Sequence, residues 1–213
     1  MKDMLDKLDN PLGISEIREI FTNINTELEE RGLTATIYVY GGVAIMLSCY
    51  DALVSFDMDV IIDTKHHSIF WQVVNVVGKK MELHDNYMNE DVLPIVQGDL
   101  LKESVVPSLQ FSNLNVSIPS KRQLLAMKLY SSRLEEDSRD LLDAIMLSKE
   151  EGVSSRSELE QILKEYVKPS AIKQRNRKKG SHNGIYTFMD KLLEEMNHGD
   201  NRKVSIATKR TTR

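Results

Sequence analysis

Apolar residues recur at spacings of three and four through Ser15-Glu-Ile-Arg-Glu-Ile-Phe-Thr-Asn-Ile-Asn-Thr-Glu-Leu-Glu-Glu-Arg, which predicts a helix with one apolar face, ended by Gly32. The period then changes. Residues 36–40 are β-branched and aromatic, residues 43–53 form an apolar run of helical length, and residues 57–63 are again β-rich, so the order strand, helix, strand is expected. Residues 66–79 predict another helix, ending near Gly78. Between residues 81 and 118 the pattern weakens to short candidate strands at 93–96, 108–111 and 114–118.

Beyond Pro119 the chain turns helical. Ser120-Lys-Arg-Gln123 has the spacing of a capping box ahead of Leu124-Leu-Ala-Met-Lys-Leu-Tyr, and that helix is expected to reach residue 134. A second helix is expected over 137–151 with Gly152 at its end, and a third opens on another capping box, Ser155-Arg-Ser-Glu158. One more amphipathic run, 185–196, precedes a polar tail whose composition predicts disorder. The expected fold is therefore α/β, or α+β: a mixed sheet flanked by helices over residues 1–118, a helical part over 119–198, and a tail over 199–213.

Composition narrows the class. The chain has 213 residues and 41% hydrophobic content, enough for a sizeable core. Its single cysteine, Cys49, lies in an apolar run and reads as a core residue, so there is no disulfide framework. The first residues, Met1-Lys-Asp-Met-Leu-Asp-Lys-Leu-Asp, lack an apolar core of a signal sequence, and no stretch approaches the roughly 18 apolar residues of a membrane span. A cytoplasmic protein without a membrane partner is expected.

The formal net charge of -4 conceals an asymmetry. Residues 164–213 carry 13 basic and 5 acidic side chains, or +8, while the remainder carries 15 and 27, or -12. The densest part, Lys168-Pro-Ser-Ala-Ile-Lys-Gln-Arg-Asn-Arg-Lys-Lys, is either a solvated surface or a contact for the phosphates of a nucleic acid.

The chemistry concentrates in Tyr38-Val-Tyr-Gly-Gly-Val-Ala-Ile-Met-Leu-Ser and Ser55-Phe-Asp-Met-Asp-Val-Ile-Ile-Asp. A diglycine turn, Gly41 and Gly42, at a helix start leaves N–H groups that can meet phosphate with no side chain in the way. Asp57 and Asp59 are two apart on a strand and so point to one face, an arrangement suited to a divalent cation. Together they suggest a metal-bound triphosphate. An Asp-x-Asp pair alone arises by chance in a chain this long; its weight comes from its place at a strand start, one helix after the diglycine turn. His66 and His67 point in different directions and read as surface residues, while Phe70 and Trp71 fit helix packing.

Gly41-Gly42, a helix, Asp57-Met-Asp59, and later Leu124-Leu-Ala-Met-Lys-Leu-Tyr-Ser-Ser-Arg with Asp137-Ser-Arg-Asp140 resemble the nucleotidyltransferases related to the AbiEii toxin, within the polymerase-β-like superfamily, over roughly residues 30–150. The resemblance implies Mg²⁺-dependent transfer of a nucleoside monophosphate from a nucleoside triphosphate to an acceptor hydroxyl of RNA, tRNA or protein, and a toxin paired with an antitoxin partner. It implies that Gly41 and Gly42 hold the triphosphate, that Asp57 and Asp59 bind Mg²⁺, that Lys128 neutralises phosphate, and that Asp137 or Asp140 is the acid beyond the lysine. A third carboxylate on a neighbouring strand would be Asp99, with Glu82 behind it. Relatives commonly carry Arg-x-Thr before the acidic pair; here Leu53-Val-Ser55 stands there, so Ser55 replaces the threonine and the arginine is absent. A non-catalytic relative that binds nucleotide or RNA is the alternative.

Overall fold

The computed structural model describes residues 11–48, 55–97, 105–131, 139–177 and 184–210, with the side chains of 105–108, 177 and 199–210 excepted. The expected sites at Cys49, Asp99 and Asp137, and the Leu53-Val54 pair, lie outside the described residues. The chain divides into two compact units, Met1–Ser120 and Lys121–Arg213. Among the described residues the fold is mixed: eight helices and one five-stranded sheet.

The first unit is built on the strands β1 (Ala35–Val39), β2 (Met58–Asp63), β3 (Met88–Asn89), β4 (Val105–Gln110) and β5 (Leu114–Pro119), in the order β3-β2-β1-β5-β4. β1 runs antiparallel to β2 and parallel to β5, β2 is parallel to β3, and β4 and β5 form an antiparallel hairpin. As the middle strand β1 has both faces covered, which is why Ile37, Tyr38 and Val39 are all buried and the segment reads as a continuous apolar run.

Helix α1 (Ile14–Glu30) buries Ile17, Ile20, Phe21, Ile24 and Leu28, the stripe its spacing predicts. It closes in a Schellman motif: Leu33 N–H donates to the Leu28 carbonyl and Gly32 N–H to that of Glu29, with Gly32 at φ +62. α1 is tied to the sheet at Asn25, whose Oδ1 accepts from the Asn113 N–H at 2.8 Å in the β4–β5 turn. Helix α2 (Gly41–Ser48) is short and apolar, with Val43, Ala44, Ile45 and Met46 buried.

Helix α3 (His67–Lys80) buries Phe70, Val73, Val74 and Val77, as expected, but Gly78 does not end it. The end is a second Schellman arrangement in which Leu83 N–H donates to the Gly78 carbonyl, and the left-handed position is Glu82 at φ 56. Gly78 is inside the helix because the buried Tyr87 ring lies against it, and the Tyr87 hydroxyl donates to the Val74 carbonyl at 2.8 Å. Residues 93–96 also depart from expectation. They form turns with one isolated bridging position at Val96, and the strand that pairs with β2 is the two-residue β3.

The second unit is helical: α4 (Lys121–Ser131), α5 (Arg139–Glu150), α6 (Arg156–Tyr166), α7 (Pro169–Arg177) and α8 (Ile185–Arg210). α4 packs against α5, α6 and α8, so Gln123, Leu124, Leu125, Ala126, Met127 and Leu129 are all buried on it. α5 ends at Gly152, φ +66, and α6 opens on the expected capping box, with Ser155 and Glu158 bonded reciprocally. The Glu158 carboxyl is held below its usual range by the N–H of Ser154 and the hydroxyl and N–H of Ser155. α8 extends past Met196, where the apolar spacing stops. Among the described residues no helix is long and apolar enough to cross a membrane.

Candidate functional site

At the end of β1 the chain turns into α2 directly beside β2. Tyr40 N–H donates to the Asp59 carbonyl at 2.8 Å, which brings Gly41 against the Asp59 side chain. A methyl group on Gly41 would lie 2.6 Å from Asp59 Oδ2, and Gly41 has φ +66; a methyl on Gly42 would lie 3.0 Å from Ser55 Oγ. A side chain at either glycine would press on a neighbouring polar side chain, and Gly41 is also favoured by its backbone conformation. Ser55 is held by two backbone hydrogen bonds with Leu12, at 2.6 and 3.0 Å, and its hydroxyl donates to the Asp57 carbonyl at 2.9 Å. Four residues singled out by sequence, Gly41, Gly42, Ser55 and Asp59, therefore meet at the opening of α2, where a helix presents N–H groups with no intrahelical acceptor.

Asp57 stands one residue before β2, exposed, and Asp59 is half-buried within it. Asn89, in β3, is the partner of Asp59 across the parallel pair. Its amide Nδ2 lies 3.5 Å from Asp57 Oδ2, and its Oδ1 accepts the Asp91 N–H at 2.9 Å. Sequence reasoning missed Asn89, because a two-residue strand is too short to show a period. Beside Asp57 a cavity of about 390 Å³ is lined by Phe56, Asp57, His84, Asn86, Asn89 and Asp91. His84 Nε2 lies 2.7 Å from the Phe56 carbonyl, which can only accept, so Nε2 carries the proton.

No family model, characterised protein or solved structure matches the chain.

Among the described residues no three His, Cys, Asp or Glu side chains gather as an all-protein metal cage. Mg²⁺ is generally held by one or two carboxylates, with waters and substrate phosphates completing its shell. Asp57 and Asp59, hard oxygen donors at one strand end beside a helix start, fit that pattern. Glu82 does not join them: it is exposed in the turn after α3 and lies outside the cavity lining.

Lys128 and Asp140 belong to the second unit and are brought together there. Lys128 Nζ is 3.0 Å from Asp140 Oδ1 and 2.7 Å from Asp143 Oδ2, with all three side chains largely buried. Burial pushes the Lys128 ammonium down, but the Asp143 and Asp140 charges and hydrogen bonds outweigh it and hold the proton more tightly than usual. Asp143 was not singled out from sequence; its place three residues after Asp140 on α5, one helical turn along, was the available signal.

His67 Nε2 lies 2.9 Å from Glu90 Oε2 and its ring meets Trp71 edge-on, consistent with a surface role. Of the basic stretch, α7 exposes Lys173, and the Arg175 guanidinium lies 5.6 Å over the Tyr130 ring.

Proposed function

We propose that this protein is a Mg²⁺-dependent nucleotidyltransferase, similar to those related to the AbiEii toxin, which moves a nucleoside monophosphate from a nucleoside triphosphate to an acceptor hydroxyl. The observation that carries the reading is the close approach of Gly41 to Asp59 at the start of α2, with Asp57 two residues before Asp59 at the entry to β2. Backbone N–H groups suited to phosphate lie beside the Asp59 carboxylate, where a methyl group on Gly41 would meet that carboxylate and one on Gly42 the Ser55 hydroxyl.

Asp57 and Asp59 would hold the Mg²⁺, which supplies charge neutralisation for the phosphate oxygens. The glycine N–H groups orient the triphosphate and stabilise charge on its oxygens. Ser55, through its bond to the Asp57 carbonyl, keeps the strand entry in place. In the transfer the acceptor oxygen bonds to the α-phosphorus, the bond to the β-phosphate oxygen breaks, pyrophosphate leaves with the electron pair, and the hydroxyl proton passes to water. Catalysis of this kind depends on positioning and electrostatics more than on covalent chemistry. The +8 charge of residues 164–213 supports RNA as acceptor.

One observation favours the non-catalytic alternative. Lys128, the cation that the resemblance assigns to phosphate, is balanced by two carboxylates within its own unit. Incubation with Mg²⁺, each α-labelled nucleoside triphosphate and a mixture of total RNA and protein separates the readings. Acid-precipitable label that disappears in Asp57→Ala/Asp59→Ala is the expected result; Mg²⁺-triphosphate binding without any label selects the non-catalytic reading.

A further inference from the structure

The backbone on either side of Asp57 is held in place. His84 Nε2 donates to the Phe56 carbonyl at 2.7 Å, the Ser55 hydroxyl to the Asp57 carbonyl at 2.9 Å, and the Met58 N–H to the Tyr87 carbonyl at 2.8 Å. The Asp57 carboxylate, by contrast, is exposed, and nothing in the backbone bonds sets its rotation. Its one partner among the described residues is the Asn89 amide, with Nδ2 3.5 Å from Oδ2.

Asn89 can face Asp57 in one sense only. It pairs with Asp59 across the parallel strands β2 and β3, so its side chain leaves the sheet on the same face as that of Asp59. Its Oδ1 accepts the Asp91 N–H at 2.9 Å, a bond that closes a turn two residues on, and an N–H can only donate. That turns Nδ2 toward Asp57. An ionised carboxylate can only accept, so both ends of the amide require the same orientation. The 3.5 Å contact is at the long end of the hydrogen-bond range. It engages Oδ2 lightly and leaves Oδ1 wholly available to a cation.

We infer that Asn89 is a positioning residue: its amide restrains the Asp57 carboxylate so that Oδ1 is the oxygen presented to a divalent cation. The inference rests on the reading above, through Asp57 as a cation ligand, and adds a residue that acts through Asp57 without touching the cation. A carboxylate that must be ordered when the cation arrives gives up its rotational freedom at that moment. One already restrained gives up less. Groups that hold a metal ligand in this way generally contribute about ten- to a hundredfold in metal affinity.

Titration of the full chain with Mn²⁺ tests this, because Mn²⁺ shares the oxygen preference of Mg²⁺ and the free ion is counted by its paramagnetic resonance. Wild type, Asn89→Ser, Asn89→Ala, Asp57→Ala and Asn89→Ser/Asp57→Ala are compared, each below its own melting transition. A serine hydroxyl still accepts the Asp91 N–H but is too short to reach Asp57, whereas alanine loses both contacts. The expected result is Mn²⁺ binding about tenfold weaker in both Asn89 variants, a melting temperature lowered in Asn89→Ala alone, and no further loss when Asn89→Ser is added to Asp57→Ala. Unchanged Mn²⁺ binding in Asn89→Ser overturns the inference and leaves the two acids standing as cation ligands. An equal loss from Asn89→Ser with and without Asp57 overturns it too, since Asn89 would then act by another route. Mn²⁺ binding that Asp57→Ala leaves untouched, or none at all, also overturns it, and the labelling experiment above then decides whether the nucleotidyltransferase reading falls with it.

Discussion

Lys128 Nζ and Asp143 Oδ2 lie 2.7 Å apart between α4 and α5, with Asp140 completing the pair at 3.0 Å. Two carboxylates face one ammonium, all largely out of water, so each charge depends on the others. Lys128→Met leaves two acids uncompensated and is expected to cost about 3–5 kcal/mol of stability, whereas Asp143→Leu costs less because Asp140 still pairs. Replacing all three by apolar residues is expected to recover most of the loss. Denaturant midpoints of the three variants check the order.

The same cluster sets an alkaline limit. Lys128 has its pKa raised above 10.5 in the folded chain, so it binds its proton more tightly folded than unfolded. Its contribution is fully present below pH 10.5 and is lost as pH rises through the folded value. Tyr87, whose buried hydroxyl is also pushed up, loses stability in the same direction. The stability difference between wild type and Lys128→Met should therefore shrink above pH 10.5, while the Tyr87 contribution remains in both. Thermal melts from pH 8 to 11.5 measure it.

Much of this fold was legible because its elements obey strong local rules. α1 carries a clear helical period, β1 is a β-branched and aromatic run, and α6 announces itself by Ser155 and Glu158. The losses occur where tertiary contact replaced a local rule. Gly78 looks like a helix stop, and is instead the place where Tyr87 packs; the stop itself falls on Glu82, which no propensity marks. The site was half legible. Gly41, Gly42, Asp57 and Asp59 are adjacent in sequence to the turns that bring them together, but Asn89, His84 and Asp91 reach the site only through the β2–β3 pairing, which three or four residues of sequence do not encode.

Gly41 and Gly32 provide a controlled comparison. Both have positive φ, +66 and +62, but nothing lies within 4 Å of a methyl group at Gly32, whereas at Gly41 the methyl would meet Asp59 Oδ2 at 2.6 Å. Gly32→Ala isolates the left-handed backbone cost, about 1–2 kcal/mol. Gly41→Ala adds displacement of a carboxylate and is expected to cost more than that and to abolish triphosphate binding. Equal melting temperatures for the two variants would mean that Asp59 yields freely, and that the close approach constrains nothing.

Glu82 and Gly78 make opposite predictions from one helix end. Glu82 carries the left-handed turn at φ 56, a conformation a glycine adopts without cost, so Glu82→Gly is expected to stabilise by about 1 kcal/mol. At Gly78, helix propensity alone favours alanine by about 1 kcal/mol. The added methyl, however, would lie 2.8 Å from Tyr87 Cε1, on a ring that is buried and anchored by its hydroxyl to Val74. Overpacking of that kind costs about 1–3 kcal/mol, so Gly78→Ala should be destabilising on balance. The double variant Gly78→Ala/Tyr87→Leu relieves the clash and lets the propensity term appear. If Gly78→Ala alone raises the denaturant midpoint, the ring moves aside at little cost and Gly78 is not where it is because of Tyr87.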